Sequence, residues 1–301
     1  MTIRILFCLL ISFPLAAQSS HVDTLIFATY RYSENNRIKN IEPFAKYFGG
    51  VVNHPVKVKS YDSVHELIAA LEKKEVDIAF INTFGYLLLR EKSSDYTIAA
   101  ALHLAKGARS TYQSAIVSSE SSGIKSLETL SSNPGKFSLL LVNPGSTSGN
   151  LIPRLRMAEL GMANPEKFFT SVTYTKNHAL TLKQVAAGKS DLGAFGSEEY
   201  HKALLADKEM AKKVNLLWES DPIPLGPALF SKDLPREISD QLIELLLSLH
   251  VKNPSALEAI KSGWTEAIPA EKFQRVNERY YTDIIKNDPA AGMKVIKAFA
   301  Q

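Results

Sequence analysis

The sequence contains only one cysteine, Cys8, and this residue lies in an apolar run near the start of the chain. Arg4 precedes the apolar run at residues 5–15, and a cleavage sequence of small residues ends at Ala17. This order is typical of a cleavable secretory signal peptide, which we predict to span residues 1–17. Its removal leaves a mature chain without cysteine, which excludes disulfides, a cysteine nucleophile and thiolate metal ligands. We therefore expect secretion into the periplasm.

Long hydrophobic runs and clusters of basic charge are also lacking. No apolar run after the signal peptide is long enough to cross a bilayer, so we expect a soluble mature product. The formal net charge is +4, and it becomes +3 without Arg4, the only charged residue of the signal peptide. Lysines and arginines are scattered, and the seven histidines form no metal-ligand pair on one helix. We predict no cofactor, no metal and no nucleic-acid partner.

The chain does contain a weak internal repeat, called the internal echo below. In each half, an amphipathic helix is followed by a tight polar turn and a short apolar strand that ends in polar residues. The predicted helices are residues 63–74 and 179–187, and the strands are residues 78–81 and 192–195. Such β-α-β units predict two α/β lobes with mainly parallel sheets. Ligands of these sheets bind beyond the carboxyl ends of the strands.

A polar turn at residues 144–149, Pro-Gly-Ser-Thr-Ser-Gly, is the most informative motif. It follows a predicted buried strand at residues 137–142 and precedes a predicted helix at residues 150–160, with Pro153 tolerated in the first turn. Hydroxyls and unpaired backbone N–H groups at a helix N-terminus suit an anion. An ordinary serine cap on a glycine-containing turn is the alternative interpretation.

Together these segments resemble the periplasmic phosphonate-binding proteins of ABC importers, within the phosphate, phosphite and phosphonate group of type II solute-binding proteins. The resemblance covers residues 24–264 and is carried by Ser146-Thr147-Ser148-Gly149 with Pro153 close behind, Lys74-Glu75-Val76-Asp77-Ile78-Ala79, His178 thirteen residues before Asp191, and Trp218-Glu219-Ser220 leading to Ile223-Pro224. It implies two α/β lobes, joined by two crossing segments, that close like a hinge around ligand. Lobe one is then residues 18–111 plus 226–301, and lobe two is residues 112–225.

The resemblance also implies a binding site for a tetrahedral oxyanion. The residues that match those holding the phosphonate head are Tyr61, Tyr112, Ser146, Thr147, Ser148 and His178. Family members that bind aminoalkyl phosphonates add two acids for the ammonium. Glu198 matches the first acid, whereas Gly226 stands at the position of the second. A smaller or uncharged-tail ligand, such as phosphate, phosphite or a simple alkyl phosphonate, fits this departure at least as well.

The function predicted is capture of such an oxyanion for the permease of an ABC importer in the inner membrane, without enzymatic activity. One alternative is a ligand-presenting sensor for a membrane histidine kinase or cyclase. Another is a hydrolase that uses Ser146 or Ser148 with His178, although the hydrolase elbow motif needs serine where Thr147 stands. Arg31, between two tyrosines, faces either the cleft or solvent.

Overall fold

A computed structural model describes residues 24–105, 107–108 and 112–300. The predicted signal peptide lies outside the described residues. Among the residues that are described, none of the helices combines the length and the apolar composition needed to span a membrane.

The described chain alternates strands with helices. The strands are β1 (Leu25–Tyr30), β2 (Val56–Tyr61), β3 (Ile78–Phe80), β4 (Tyr96–Leu104), β5 (Ser114–Ser119), β6 (Ser138–Leu141), β7 (Ser171–Tyr174), β8 (Leu192–Gly196), β9 (Val214–Glu219), β10 (Pro227–Ser231) and β11 (Ala270–Gln274). The α-helices are α1 (Ile38–Val52), α2 (Val64–Glu72), α3 (Thr83–Lys92), α4 (Ile152–Glu159), α5 (Pro165–Phe168), α6 (His178–Ala186), α7 (Glu198–Ala206), α8 (Lys208–Ala211), α9 (Arg236–Lys252), α10 (Pro254–Lys261), α11 (Arg279–Thr282) and α12 (Pro289–Ala300). Short 3₁₀ turns cover Glu120–Ser122, Thr265–Ala267 and Asp283–Ile285, and a π-helical turn covers Thr147–Leu151.

These elements build two lobes, each around one sheet. The six-stranded sheet of lobe one has the order β11-β4-β10-β3-β1-β2, and the five-stranded sheet of lobe two has the order β7-β6-β8-β5-β9. β1 runs parallel to β2 and β3, and β6 runs parallel to β7 and β8. β10 and β5 run antiparallel to both of their neighbours. Four strands of each sheet therefore point the same way, which confirms the predicted two-lobed α/β fold.

The internal echo corresponds to equivalent places in the two sheets. The order β2-β1-β3-β10-β4 in lobe one matches β7-β6-β8-β5-β9 in lobe two. The two helix–strand pairs of the echo, α2 with β3 and α6 with β8, occupy the same position in this order. Because β5 follows β4, and β10 follows β9, the chain crosses between the lobes twice. The predicted lobe boundaries, at residues 111–112 and 225–226, stay predictions.

Hydrophobic packing fixes each sheet between layers of helix. In lobe one, Phe27 of β1 packs edge-on against Phe44 and Phe48 of α1, with ring centroids 6.2 and 5.8 Å apart. In lobe two, alternate residues of β5 enter different clusters: Ile116 packs with one and Val117 with the other. Successive strand side chains point to opposite faces, so both faces of this sheet are covered.

The C-terminal helix α12 touches both lobes. The Phe299 ring packs edge-on against Phe84 of α3 at 5.5 Å, and the Arg154 guanidinium of α4 lies 4.9 Å from the same ring. Through Phe299, α12 therefore packs against the first residues of both α3 and α4. The beginnings of both helical segments lie at the cleft described next.

Candidate functional site

A cavity of about 840 Å³ lies between the lobes, at the ends of four strands that point toward it. β1 delivers Tyr30, β3 is followed by Asn82, β6 is followed by the turn 143–148, and β8 ends at Gly196. All four line the cavity. This is where a parallel α/β sheet presents polar loops and helix N-termini to a ligand.

The serine-rich turn forms the first turn of a helix. Helical structure begins at Thr147, three residues before the predicted start, and continues through a π-helical turn into α4. Ser146 caps it, because its Oγ accepts a hydrogen bond of 3.0 Å from the N–H of Gly149. A Cβ on Gly149 would lie 2.3 Å from Cγ2 of Val142, so only glycine lets the turn fold back onto β6. The N–H groups of Thr147 and Ser148 are left without intrahelical acceptors, as at any helix start.

Tyr112 adds a hydroxyl beside this turn. Burial raises its pKa well above the usual value, and the charge of Glu266 raises it further, whereas hydrogen bonding to Thr147 and Ser148 lowers it in part. Tyr112 therefore stays a neutral phenol that can donate a hydrogen bond. The Thr147 Oγ1 also accepts a hydrogen bond of 3.1 Å from the N–H of Phe84, the second residue of α3 in lobe one. The turn thus contacts both the cavity and the opposite lobe.

His178 is the first residue of α6, and its protonation state follows from one contact. Its Nδ1 lies 2.9 Å from the N–H of Gly196, which can only donate. The ring proton must then sit on Nε2. Burial, followed by the charge of Lys202, lowers the pKa of His178 to about 4. The imidazole is therefore a neutral N–H donor at neutral pH. The Tyr32 ring of lobe one lies 5.9 Å from it across the cleft.

Glu198 begins α7 and lines the cavity, but it already has a partner. The Lys202 Nζ lies 2.9 Å from Glu198 and 3.5 Å from Glu199, one turn earlier on the same helix. The Glu198 side chain is 39% exposed. A ligand cation at Glu198 would therefore share the carboxylate with Lys202.

Three positions considered from the sequence lie away from the serine turn or only at the rim of the cavity. Tyr61, at the end of β2, is not among the residues that line the cavity, and its buried hydroxyl has no hydrogen-bond partner in the described chain. Gly226 borders a separate small pocket, and a Cβ there would lie 2.0 Å from the carbonyl oxygen of Ile81. Arg31 is exposed at the cavity rim, with its Nε 3.6 Å from Asp62. No side chain fits at Gly226, so a second acid cannot stand there.

Arg37 and Glu266 are charged residues of the cavity that were not identified from the sequence. Arg37 is only 4% exposed, and its Nε donates a hydrogen bond of 2.7 Å to the carbonyl oxygen of Gly263. Glu266 lines the same cavity, and burial raises its pKa, as does the charge of Glu198, whereas Arg37 lowers it. The nearby Tyr30 and Tyr32 could have indicated that Arg37 lies at the cleft. Gly263 and Glu266, however, are more than two hundred residues away from Arg37 along the chain. Their approach depends on how α10 packs on α1.

The site contains donors rather than a catalytic pair. Within the described residues, neither Ser146 nor Ser148 forms a hydrogen bond with His178, whose Nδ1 is occupied by Gly196. The part of the chain that the structure describes also holds no group of three histidine, cysteine or acidic side chains placed to bind a metal ion. The arrangement suits reversible binding of an anion by neutral donors.

A family model and a curated protein match this chain. The family model for the periplasmic substrate-binding protein of ABC phosphonate transporters matches residues 26–274. A phosphonates-binding periplasmic protein of Escherichia coli (strain K12) is 21% identical over 211 residues, which are 70% of this chain and 61% of that protein. The chain thus spans about three fifths of the length of this curated relative.

Two solved structures share the fold. One is PhnD1 from Prochlorococcus marinus (MIT 9301) in complex with methylphosphonate, with a TM-score of 0.68, 16% identity, and coverage of 90% of this chain and 98% of that one. The other is a binding protein component of an ABC phosphonate transporter from Pseudomonas aeruginosa, with a TM-score of 0.65, 21% identity, and coverage of 91% and 94%. Because the family model spans most of the chain, this protein belongs to the family of periplasmic substrate-binding proteins of ABC phosphonate transporters.

Proposed function

We propose that this protein binds a phosphonate, or the related phosphite or phosphate ion, in the cleft between its lobes and delivers it to the permease of an ABC importer. The observation that supports this most directly is the convergence of donors on one part of the cavity. These donors are the free N–H groups at Thr147 and Ser148, the Ser148 and Tyr112 hydroxyls, and the Nε2–H of His178.

Neutral donors are sufficient to hold such an anion in a cleft. A buried anion is costly unless its oxygens accept hydrogen bonds, and a tetrahedral head offers three oxygens in fixed directions. The start of the Thr147–Glu159 helical segment adds a partial positive charge to the hydrogen bonds of its N–H groups. Because His178 is held neutral, it contributes direction rather than a full charge. The head is therefore selected by its shape and by its capacity to accept hydrogen bonds.

Closure of the lobes accompanies binding in this proposal. Two hydrogen bonds join the lobes at the edge of the turn: Asn82 Nδ2 to the carbonyl oxygen of Gly145 at 2.9 Å, and the Phe84 N–H to Thr147 Oγ1 at 3.1 Å. A ligand that contacts both lobes stabilises this closed form over an open one, and its differential affinity drives the hinge. The permease would then recognise the closed form.

The proposal is tested by thermal unfolding of the mature protein with methylphosphonate, phosphite, phosphate and sulfate, followed by calorimetric titration of those that bind. A ligand at a thousand times its Kd stabilises a protein by about 4 kcal/mol, so a true ligand raises Tm by several degrees. We expect one-to-one binding of at least one of the phosphorus oxyanions, and weaker or no binding of sulfate. Absence of binding for all three phosphorus oxyanions would refute the proposal.

A further inference from the structure

The cavity offers more than a place for an oxyanion head. Its volume of about 840 Å³ lies toward the upper end of the range for sites that enclose drug-sized ligands. Beyond the donors at the serine turn, it is lined by further charged side chains, among them Arg37 and Glu266 of lobe one and Glu198 of lobe two. These charges are not needed to hold a phosphonate head, and the two acids oppose an anion. They point to a ligand with charged groups on its tail.

Arg37 has features that fold stability alone does not favour. It is buried, and within the described chain no carboxylate lies within 4 Å of it. Its φ of 59° is left-handed, which is uncommon for a residue other than glycine, asparagine or aspartate. It also places a positive charge at the start of α1, where the helix dipole favours a negative one. An observed outlier of this kind beside a cleft is a reason to look for function.

The surroundings of Arg37 hold its guanidinium in one place. Its Cζ lies 4.7 Å from the centroid of the Tyr30 ring, 5.3 Å from that of Tyr32 and 4.5 Å from that of Trp264. Its Nε and Nη1 donate to the carbonyl oxygens of Gly263 and Tyr30, at 2.7 and 3.4 Å. These contacts hold the guanidinium at the wall of the cavity, where the N–H groups that the protein does not use can donate to a ligand carboxylate.

Glu266 provides the opposite charge close by. The charge of Arg37 lowers the pKa of the Glu266 carboxyl group, and that of Glu198 raises it. The charge of Glu266 in turn raises the pKa of the hydroxyl groups of Tyr30, Tyr32 and Tyr112. Glu266 lines the same cavity as Arg37, the serine turn and the second acid, Glu198. An ammonium group here would gain the Glu266 carboxylate from lobe one and, from lobe two, the Glu198 carboxylate that it shares with Lys202. The acid that is missing at Gly226 has a substitute from a different part of the chain.

We infer that the ligand is a phosphonate whose tail carries an α-amino acid group, with its carboxylate on Arg37 and its ammonium between Glu266 and Glu198. An α-amino acid group places one carboxylate and one ammonium on the same carbon, which matches the adjacent charges of Arg37 and Glu266. This assignment rests on the proposed function, because it assumes that the phosphonate head occupies the serine turn. Arg37 and Glu266 are specificity-determining residues in this assignment.

The test is a calorimetric series on the mature protein with four compounds that add one group at a time. They are methylphosphonate, 3-phosphonopropionate, 2-aminoethylphosphonate and 2-amino-3-phosphonopropionate. Each correctly paired charged group is expected to tighten binding by about 10-fold or more. The compound with both groups should therefore bind most tightly. If methylphosphonate binds but 2-amino-3-phosphonopropionate is no tighter, the inference is wrong and the proposed function stands. If none of the four binds, the inference is wrong, and the titrations with phosphite and phosphate decide whether the proposed function is wrong as well.

Variants assign the two groups. Arg37→Gln is expected to weaken both carboxylate-bearing compounds by about 10-fold or more, and Glu266→Gln to do so for both ammonium-bearing ones. Methylphosphonate should be affected by neither. Matched controls are Arg31→Gln and Glu34→Gln, which change exposed charges at the rim of the same cavity and should alter no compound's affinity.

A conservative variant keeps the test decisive if Arg37→Gln does not fold. Arg37→Lys retains the charge but loses the planar fork, so it should also weaken the carboxylate-bearing compounds by about 10-fold and spare methylphosphonate. Equal weakening of all four compounds in a folded Arg37 variant would show that Arg37 only supports the fold, and would overturn the assignment.

Discussion

Replacing Gly145 with alanine should hinder closure of the cleft without harming either lobe. Gly145 lies in the turn of lobe two, and its carbonyl oxygen accepts a hydrogen bond from Asn82 of lobe one. A Cβ added to Gly145 would lie 2.2 Å from Cγ1 of Val64, the first residue of α2 in lobe one. The backbone of Gly145 does not have a positive φ, so alanine itself is compatible with the turn.

The size of the effect follows from this overlap. Carbon atoms in contact are usually about 3.5–4.0 Å apart, so the two lobes or Val64 must move by more than 1 Å. Val64 is 3% exposed and branched at Cβ, which leaves it little freedom to turn away. Overpacking of this kind costs about 1–3 kcal/mol. Because this free-energy cost applies only to the closed form, the apparent Kd for ligand should rise by about 5- to 150-fold.

The assay is calorimetric titration with methylphosphonate, paired with small-angle scattering with and without ligand. Gly145→Ala should bind more weakly and compact less on ligand addition, while its Tm without ligand stays near that of the wild type. Adding Val64→Ala should restore much of the affinity, since it removes the overlapping Cγ1. Gly50→Ala is the matched control, because no atom lies within 4 Å of a Cβ there. Unchanged affinity in Gly145→Ala, or no restoration by Val64→Ala, would refute the reasoning.

Further predictions concern the turn, the histidine and the crossing segment. Ser148→Ala should weaken methylphosphonate binding by about 10- to 100-fold with unchanged stability. Ser146→Ala removes a helix cap and should lower the free energy of unfolding by about 1 kcal/mol. Calorimetry measures the first effect and urea unfolding the second, and the opposite pattern would reverse the two roles. His178 binds a proton more weakly in the folded than in the unfolded protein, so the wild type should lose up to about 3 kcal/mol of stability as pH falls from about 6.5 to about 4. His178→Gln should lose correspondingly less over that interval, and equal slopes in urea unfolding would contradict the buried neutral imidazole. Gly226→Asp should destabilise the protein by about 1–3 kcal/mol or more, because its Cβ meets the backbone of Ile81; a stable variant with improved binding of 2-aminoethylphosphonate would contradict this.

The elements around the cleft could be predicted from local sequence. One continuous stretch of sequence predicted strand β6, the turn after it and the start of α4 at Pro153. This was possible because apolar runs, caps and proline act on their immediate neighbours. The echo of α2 with β3 and α6 with β8 predicted two lobes for the same reason. The start of the helical segment was placed too late, since the π-helical turn at Thr147–Leu151 depends on Gly149 packing against Val142.

Most residues at the proposed anion end of the cavity were also named from the sequence. The resemblance named Tyr112, Thr147, Ser148 and His178, and the structure brings all of them to one cavity. Whether His178 is charged depended on the Gly196 N–H, which sequence alone does not place against Nδ1. The contribution of these side chains to ligand binding stays a prediction for the experiments above.

Only the tertiary structure decided which distant residues share the cleft. By itself the sequence determined the order of strands and helices and the polar residues at their ends, because these follow from neighbours along the chain. It did not show that the hydroxyl of Tyr61 is buried away from the cavity, or that Gly226 lies against the backbone of Ile81. Nor did it bring Arg37 to Gly263, 226 residues away, with Glu266 beside them. Such approaches are set by helix packing and by the two chain crossings between lobes, where side-chain volume and backbone clearance, rather than residue type, decide what fits.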